Sequence, residues 1–291
     1  PTYQKKDKVT ADNITTFQVK GGGVYNLDDR LSAFANIGYV QKPPILDNVI
    51  AYDGTVSSDP DNEKFLSNEV GGEYKSGKVA IKGSYYNTQW KDRNLTRNVE
   101  TGAGDSGDTD IIYLTGVNQS HTGVEVEAKV ALHDMVDVDF AFSKGNWFFD
   151  GDAKGDYLEQ EYNEDGQIIG QMTTEYVYAL NNLKVGDMPQ TAYVGGLTLK
   201  PIAGLNIQGL LKVYDDNYAD WSPESREVTG DEDRAQVWKA PGYSKLDLHL
   251  SYKLPEIAGY DVTLHGHVFN ALDNIYVQDA TDNSKYNGYG D

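Results

Sequence analysis

The chain has 291 residues, is 39% hydrophobic and carries a formal charge of -20 at pH 7. That charge argues against nucleic acid, because phosphate backbones are held by clustered Lys and Arg that release counterions. The absence of cysteine excludes thiol chemistry, Cys-ligated zinc and a disulfide framework.

No run approaches the roughly 18 apolar residues that a membrane helix needs. Membrane strands stay open as a reading, since alternation hides their apolar half from a hydropathy average. Runs of period two predict ten strands, at roughly 15–27, 31–41, 63–76, 78–95, 109–132, 136–149, 189–200, 206–218, 243–254 and 260–276. The connections are as informative as the strands. Those at 28–30, near 76–77, at 133–135, 201–205 and 255–259 are short, and those at 43–62, 98–108, 150–188 and 219–242 are long. Pro201-Ile202-Ala203-Gly204-Leu205 and Pro255-Glu256-Ile257-Ala258-Gly259-Tyr260 are near copies of one turn.

Strict short-long alternation is what an up-and-down barrel with short periplasmic turns and long extracellular loops requires. A secreted β-sandwich or propeller, acting in carbohydrate binding or adhesion, is the competing reading, but a Greek-key sandwich scatters long connections over both ends. Two hairpins favour the barrel. In 109–132 and 136–149, Val124, Val126, Ala128 and Val130 share a face with Val136, Val138, Phe140 and Phe142, while Glu125, Glu127 and Lys129 share the other with Asp137 and Asp139, Lys129 being opposed to Asp139. Such a charged row would cost several kcal/mol per unpaired charge in a dry sandwich core and little against enclosed water. In 243–254 and 260–276, Leu246, Leu248 and Leu250 alternate with Lys245, Asp247 and His249. Setting Leu254 opposite Tyr260 puts Asp247 across from His267 and His249 across from His265. Aromatics at strand ends, Tyr74, Tyr252 and Tyr260 beside short turns and Trp90, Trp147, Phe148, Phe149, Tyr214 and Tyr218 towards long loops, suggest two interfacial girdles.

Three groups are candidate sites. Asp247, His249, His265 and His267 converge in that register on one water-facing patch that could hold a transition metal or relay protons, or serve as a solvated wall. Asp150, Asp152, Asp156 and Glu161 echo the spacing of a calcium loop, although Lys154 stands where an oxygen ligand belongs; an acidic surface loop is the plainer reading, and Asn163-Glu164-Asp165-Gly166 reads as a hairpin turn between extended runs Tyr157–Tyr162 and Gln167–Thr173. Tyr52, Tyr214, Tyr218, Trp221 and Trp238 lie on or near long loops, where aromatic faces stack on sugars or chelates or anchor the wall at the interface. No catalytic triad, carboxylate pair or phosphate-binding loop is evident, so no enzyme activity is expected.

Asn270-Ala271-Leu272-Asp273-Asn274-Ile275-Tyr276 resembles the Asn-Leu-x-Asp-x-x-Tyr signature of TonB-dependent outer-membrane receptors, and Gly123-Val124-Glu125, Lys42-Pro43-Pro44 and Val185-Gly186-Asp187-Met188-Pro189 resemble further landmarks of that family. The resemblance covers essentially the whole chain as the C-terminal part of the barrel domain. It implies a transmembrane antiparallel barrel of about 22 strands in the Gram-negative outer membrane, plugged and energised through TonB, importing a metal chelate, cobalamin or oligosaccharide. It also implies strands, a plug and a TonB-contacting segment beyond these residues, supplied by the rest of the protein, by the missing barrel half in another chain, or met by a surface lipoprotein. No protein cofactor is expected apart from the weak calcium candidate.

Overall fold

The structure is a computed structural model that describes residues 9–50, 56, 61–100, 109–162, 168–223, 226–230, 234–256 and 259–282. Its strands are β1 (Gln18–Asn26), β2 (Leu31–Lys42), β3 (Glu63–Ser76), β4 (Val79–Glu100), β5 (Thr109–His133), β6 (Val136–Phe149), β7 (Ala153–Tyr162), β8 (Ile168–Tyr178), β9 (Thr191–Leu199), β10 (Leu205–Asp215), β11 (Asn217–Tyr218), β12 (Asp220–Trp221), β13 (Lys239–Ala240), β14 (Tyr243–Lys253), β15 (Thr263–Val268) and β16 (Thr281–Asp282), with one helical turn, Leu46–Val49. Twelve of them form one antiparallel sheet whose main path runs β1-β2-β3-β4-β5-β6-β9-β10-β14-β15. These ten correspond to the ten predicted strands. The sheet does not close on itself, and β1 and β15 are its two ends.

Alternation produces two unlike faces. On one, Val79, Ile81 and Tyr85 of β4 lie beside Val130, Ala128 and Val124 of β5, which lie beside Val138, Phe140 and Phe142 of β6 or their neighbours in the row. Tyr193, Leu197 and Leu199 of β9, Ile207 and Leu211 of β10, and Leu246, Leu248 and Leu250 of β14 continue the row. No second layer covers it among the described residues: Leu248 and Leu250 are 41% and 42% exposed. The sandwich reading is therefore replaced by a single-layer wall.

The apolar row has an edge. Going towards the long loops it gives way on successive strands to Asn87, Thr122, Lys144, Thr191, Asp215 and Ser244. Seven residues, Val124 to Val130, rise about 20 Å along a strand, close to the apolar band of about 25 Å that an outer-membrane barrel shows lipid. Tyr85 and the Phe142–Tyr193 pair, with ring centroids 5.0 Å apart, border the upper edge, and Tyr74 and Tyr252 mark the lower.

The opposite face carries the charged rows, and the predicted Lys129–Asp139 opposition is present with N···O 3.7 Å. One predicted register is corrected. Leu254 N–H donates to Val262, not to residue 260, so the last turn is two residues longer than expected and His249 pairs with His267. A slip of two preserves every face, so alternation alone could not detect it. The last strand is also shorter than 260–276. Asn270 and Asp273 adopt positive φ, Asn270 Oδ1 accepts from Asn274 N–H at 3.3 Å and Asn274 Nδ2 donates to the Ser244 carbonyl at 2.9 Å, folding the signature segment back onto β14.

In the 150–188 connection the hairpin expected of Tyr157–Tyr162 and Gln167–Thr173 is present and longer than expected, while its turn at 163–166 lies outside the described residues. Strands β7 and β8 pair there and extend the sheet beside the upper half of β5, through Leu114–Gly155 and neighbouring pairs. At their foot lies the buried apolar cluster of the described residues: Leu114, Val117, Phe149, Ala153, Tyr178, Leu180, Leu183, Trp221 and Val237. It sits at the long-loop end, not behind the wall.

Candidate functional site

On the polar face, rows near the short turns are paired charges, including Lys200–Asp137 at 2.6 Å. Midway, Ser67 and Thr88 hydroxyls share a hydrogen bond of 2.8 Å and Asn36 Nδ2 donates to Glu69 at 3.0 Å. Nearer the long loops the same rows become aromatic. Phe65 and Trp90 lie 4.6 Å apart across β3 and β4, Trp90 Nε1 donates to the buried Glu63 carboxylate at 3.0 Å, and Lys42 Nζ pairs with Glu63 at 3.2 Å. Trp147 Nε1 donates to the Tyr86 hydroxyl at 2.9 Å, and His121 lies 5.7 Å from the Trp147 ring.

Two glycines make this arrangement possible. A Cβ on Gly123 would strike the Tyr86 ring, and one on Gly145 would come within 2.6 Å of Trp147 Nε1, so both rings lie flat over bare backbone. Phe65, Glu69, Tyr86, Trp90, His121 and Trp147 line the resulting open groove. Its aromatic faces can stack on planar or sugar-like groups, and its carboxylates favour cations or hydroxyls.

The described parts of the 150–188, 219–242 and 270–282 segments are joined into a cap at this end. Arg226, 0% exposed, donates to the Ala235 carbonyl at 2.8 Å and to Asp282 at 3.1 Å, tying the 226–235 segment to β16. At the outer rim, Asp216 accepts from Thr191 Oγ1 at 2.5 Å and from Lys239 Nζ at 2.7 Å. Those bonds, from Lys239 first and then Thr191, hold the Asp216 carboxyl down at about 2, and Asp216 in turn pushes the Lys239 ammonium up.

The predicted site residues scatter. Tyr52 lies outside the described residues. Tyr214 is on the polar face of β10, 5.0 Å from Tyr243, which stacks on Tyr276 at 4.3 Å with Lys245 over the Tyr276 ring. Tyr218 packs against the cap cluster, and Trp238 is half-buried beside it, its carbonyl accepting from Ala219 N–H. Trp221 is 1% exposed, with Phe149 and Tyr178 against its ring at 6.4 and 5.9 Å, so its faces are already filled.

Trp90 and Trp147, expected in the girdle, point to the polar face instead. Their parity could have shown it: Trp90 shares a side with Lys82, and Trp147 with Asp139.

Of the acidic loop, Asp150 is exposed at the end of β6, and Asp152 accepts from Asn181 N–H and pairs with Arg234 at 3.2 Å. Asp156 and Glu161 sit on β7, with side chains outside the described residues. Extended chain spaces those positions about 3.3 Å per residue, where a calcium loop needs them wrapped round one point. Asp247, 3% exposed, is drawn away from the histidines by Lys212 at 2.7 Å and by Asn270 N–H at 2.9 Å, while His249 and His267 meet. Among the described residues no three His, Asp or Glu side chains converge on one cation position.

A one-layer antiparallel wall, lipid-facing on one side over a band of constant height and wet on the other, defines an outer-membrane β-barrel. Comparison gives the family. The profile described as "TonB dependent receptor-like, beta-barrel" matches residues 2–271, and the chain belongs to the TonB-dependent receptor family, whose place is the Gram-negative outer membrane. Among solved structures it is similar to the copper transporter OprC (TM-score 0.59, 16% identity, 89% of this chain and 34% of that one). It is also similar to the ferric enterobactin receptor PfeA of Pseudomonas aeruginosa (TM-score 0.58, 15% identity, 88% and 35%) and the ferric-catecholate import receptor Fiu of E. coli (TM-score 0.55, 14% identity, 89% and 31%). The chain thus spans about a third of the length of the structures it matches. No curated protein matches it in sequence.

Proposed function

We propose that this chain is the wall of an active importer that takes a scarce nutrient from outside the cell to the periplasm, energised through the TonB complex by other parts of the protein. The observation that carries the reading is the polarity of the polar face along the wall: paired charges near the short turns, an aromatic groove of Trp90, Tyr86, His121 and Trp147 at the capped, long-loop end. Ligand would enter past the cap, rest on that groove and leave past the charged rows; Tyr214 would offer a further aromatic face on β10, and Tyr218, Trp221 and Trp238 would hold the cap that frames the entrance. The candidate cargoes are a metal chelate, cobalamin or an oligosaccharide, and the names of the structural relatives support the first.

Uptake tests this. Cells that depend on the full-length protein are offered labelled ferric chelates, cobalamin and oligosaccharides, with and without an inner-membrane proton gradient. Saturable uptake of one class that stops when the gradient is dissipated is expected, and Trp90→Ala with Trp147→Ala should raise the half-saturating concentration about tenfold or more, at about 1–3 kcal/mol for lost ring stacking. Gradient-independent, unsaturable leakage would make the protein a passive pore and end the proposal.

A further inference from the structure

Three of the five histidines of the chain lie on one hairpin, in one water-facing row, at the depth of the apolar band. Their arrangement is specific. His249 and His267 are direct cross-strand partners, with Nδ1 atoms 2.8 Å apart and ring planes inclined at 64°. His265, one step along β15, lies parallel to His267 with centroids 6.3 Å apart. Phe269 closes the other side, 5.8 Å from His249 and 6.0 Å from His267.

The separation of the two nitrogens decides what the pair can take. Imidazole nitrogens bind transition dications at about 2.0 Å, so two of them in one coordination sphere stand about 2.8 Å apart at a right angle and about 3.3 Å apart at a tetrahedral angle. The right-angle value is the one present. That is the separation a tetragonal Cu(II) or Ni(II) needs, reached once the hydrogen-bonded rings turn so that both Nδ1 lone pairs meet at the ion, whereas tetrahedral Zn(II) needs the nitrogens about half an ångström further apart. The surroundings are permissive as well. Asp247, the carboxylate on the same row, is neutralised by Lys212, Gln208 stands opposite His249 on β10, and Lys245 and Lys253 lie further along β14 towards its two ends. The chain as a whole is acidic, which raises the local concentration of cations.

We propose that His249 and His267 form a two-imidazole site for a tetragonal divalent transition cation, Cu(II) or Ni(II), on the barrel wall at mid-membrane depth. Both rings bind neutral through Nδ1. The proton that joins the pair in the metal-free protein moves to the Nε2 of its own ring through solvent, so neutral rings release no net proton, and water completes the coordination sphere. His265 stays outside it. The site does not depend on what the barrel carries.

Cupric ion alone, titrated into the full-length protein in detergent and followed by electron paramagnetic resonance, tests the proposal. A tetragonal signal with hyperfine coupling to two imidazole nitrogens at one ion per chain is expected. His249→Gln and His267→Gln, checked for native near-ultraviolet dichroism, should each weaken that species about tenfold or more, while His265→Gln leaves it unchanged. Loss of the signal in His265→Gln, an unaltered spectrum in the His249→Gln/His267→Gln double variant, or absence of imidazole coupling in the native protein would each overturn it, the last leaving the pair as a hydrogen bond only.

Discussion

The wall and the cap of this protein are stabilised by different means, although one continuous sheet serves both. In the wall, β4 from Val79 to Trp90 pairs residue for residue with β5 from Gln119 to Val130, and the apolar side chains are left uncovered for lipid. The cap is the reverse: the described turns and short bridges of 179–190, 216–223, 234–242 and 270–282 are held by a small dry cluster around Trp221 and by individual ion pairs such as Arg226–Asp282. Labour is thereby divided. The wall depends on its solvent, lipid outside and water inside, whereas the cap depends on its own side chains.

Breaking the cap core should have the largest effect. Trp221→Ala removes the ring between Phe149 and Tyr178 and should cost the cap about 3–5 kcal/mol, seen as faster hydrogen exchange through 179–190 and 217–222 while β9, β10 and β14 stay protected. Equal loss of protection in the wall would show that the two regions are one cooperative unit. Next in size, Leu248→Arg places a charge in the lipid-facing band and should cost about 2–4 kcal/mol in folding into vesicles. Ser251→Arg, three residues along the same strand on the wet face, should stay within about 0.5 kcal/mol. Similar costs for the two would mean the faces are misassigned.

The same contrast explains what could be read from residues alone. The wall was legible because lipid and water impose period two on every strand, and the short-long spacing of connections gave its direction. Its one misplaced register, at His249 and His267, is the kind that alternation cannot see, because the true turn is longer by two residues. The cap was not legible. Trp221 and Arg226 are buried by partners far off in sequence, Phe149 for the one and Asp282 for the other, and nothing local distinguishes a tryptophan that fills a core from one that waits for ligand. The groove fell between the two: Trp90 and Trp147 were visible as strand-end aromatics, but only parity with Lys82 and Asp139 turns them inward, and only Gly123 and Gly145 explain why they fit.

The smallest effect, and the sharpest separation of the two regions, should come from acid. Asp216 joins β9, β10 and the β13 loop through Thr191 and Lys239 and is held at about 2, below its ordinary value of 3.8. A carboxyl depressed by folding contributes stability that is complete above the unfolded value and disappears as pH falls through the folded one, so this contribution should be lost between about pH 4 and pH 2. Hydrogen exchange over 216–222 and 237–240 should therefore quicken across that interval ahead of any change in the wall ladder. Asp216→Asn keeps the hydrogen bond to Thr191 but cannot carry charge towards Lys239, and should open the same segment to the same extent at neutral pH while flattening its acid response. If the variant kept the native acid profile, the junction of cap and wall would have to be held by something other than this ion pair, and the Arg226–Asp282 contact would be the next to test.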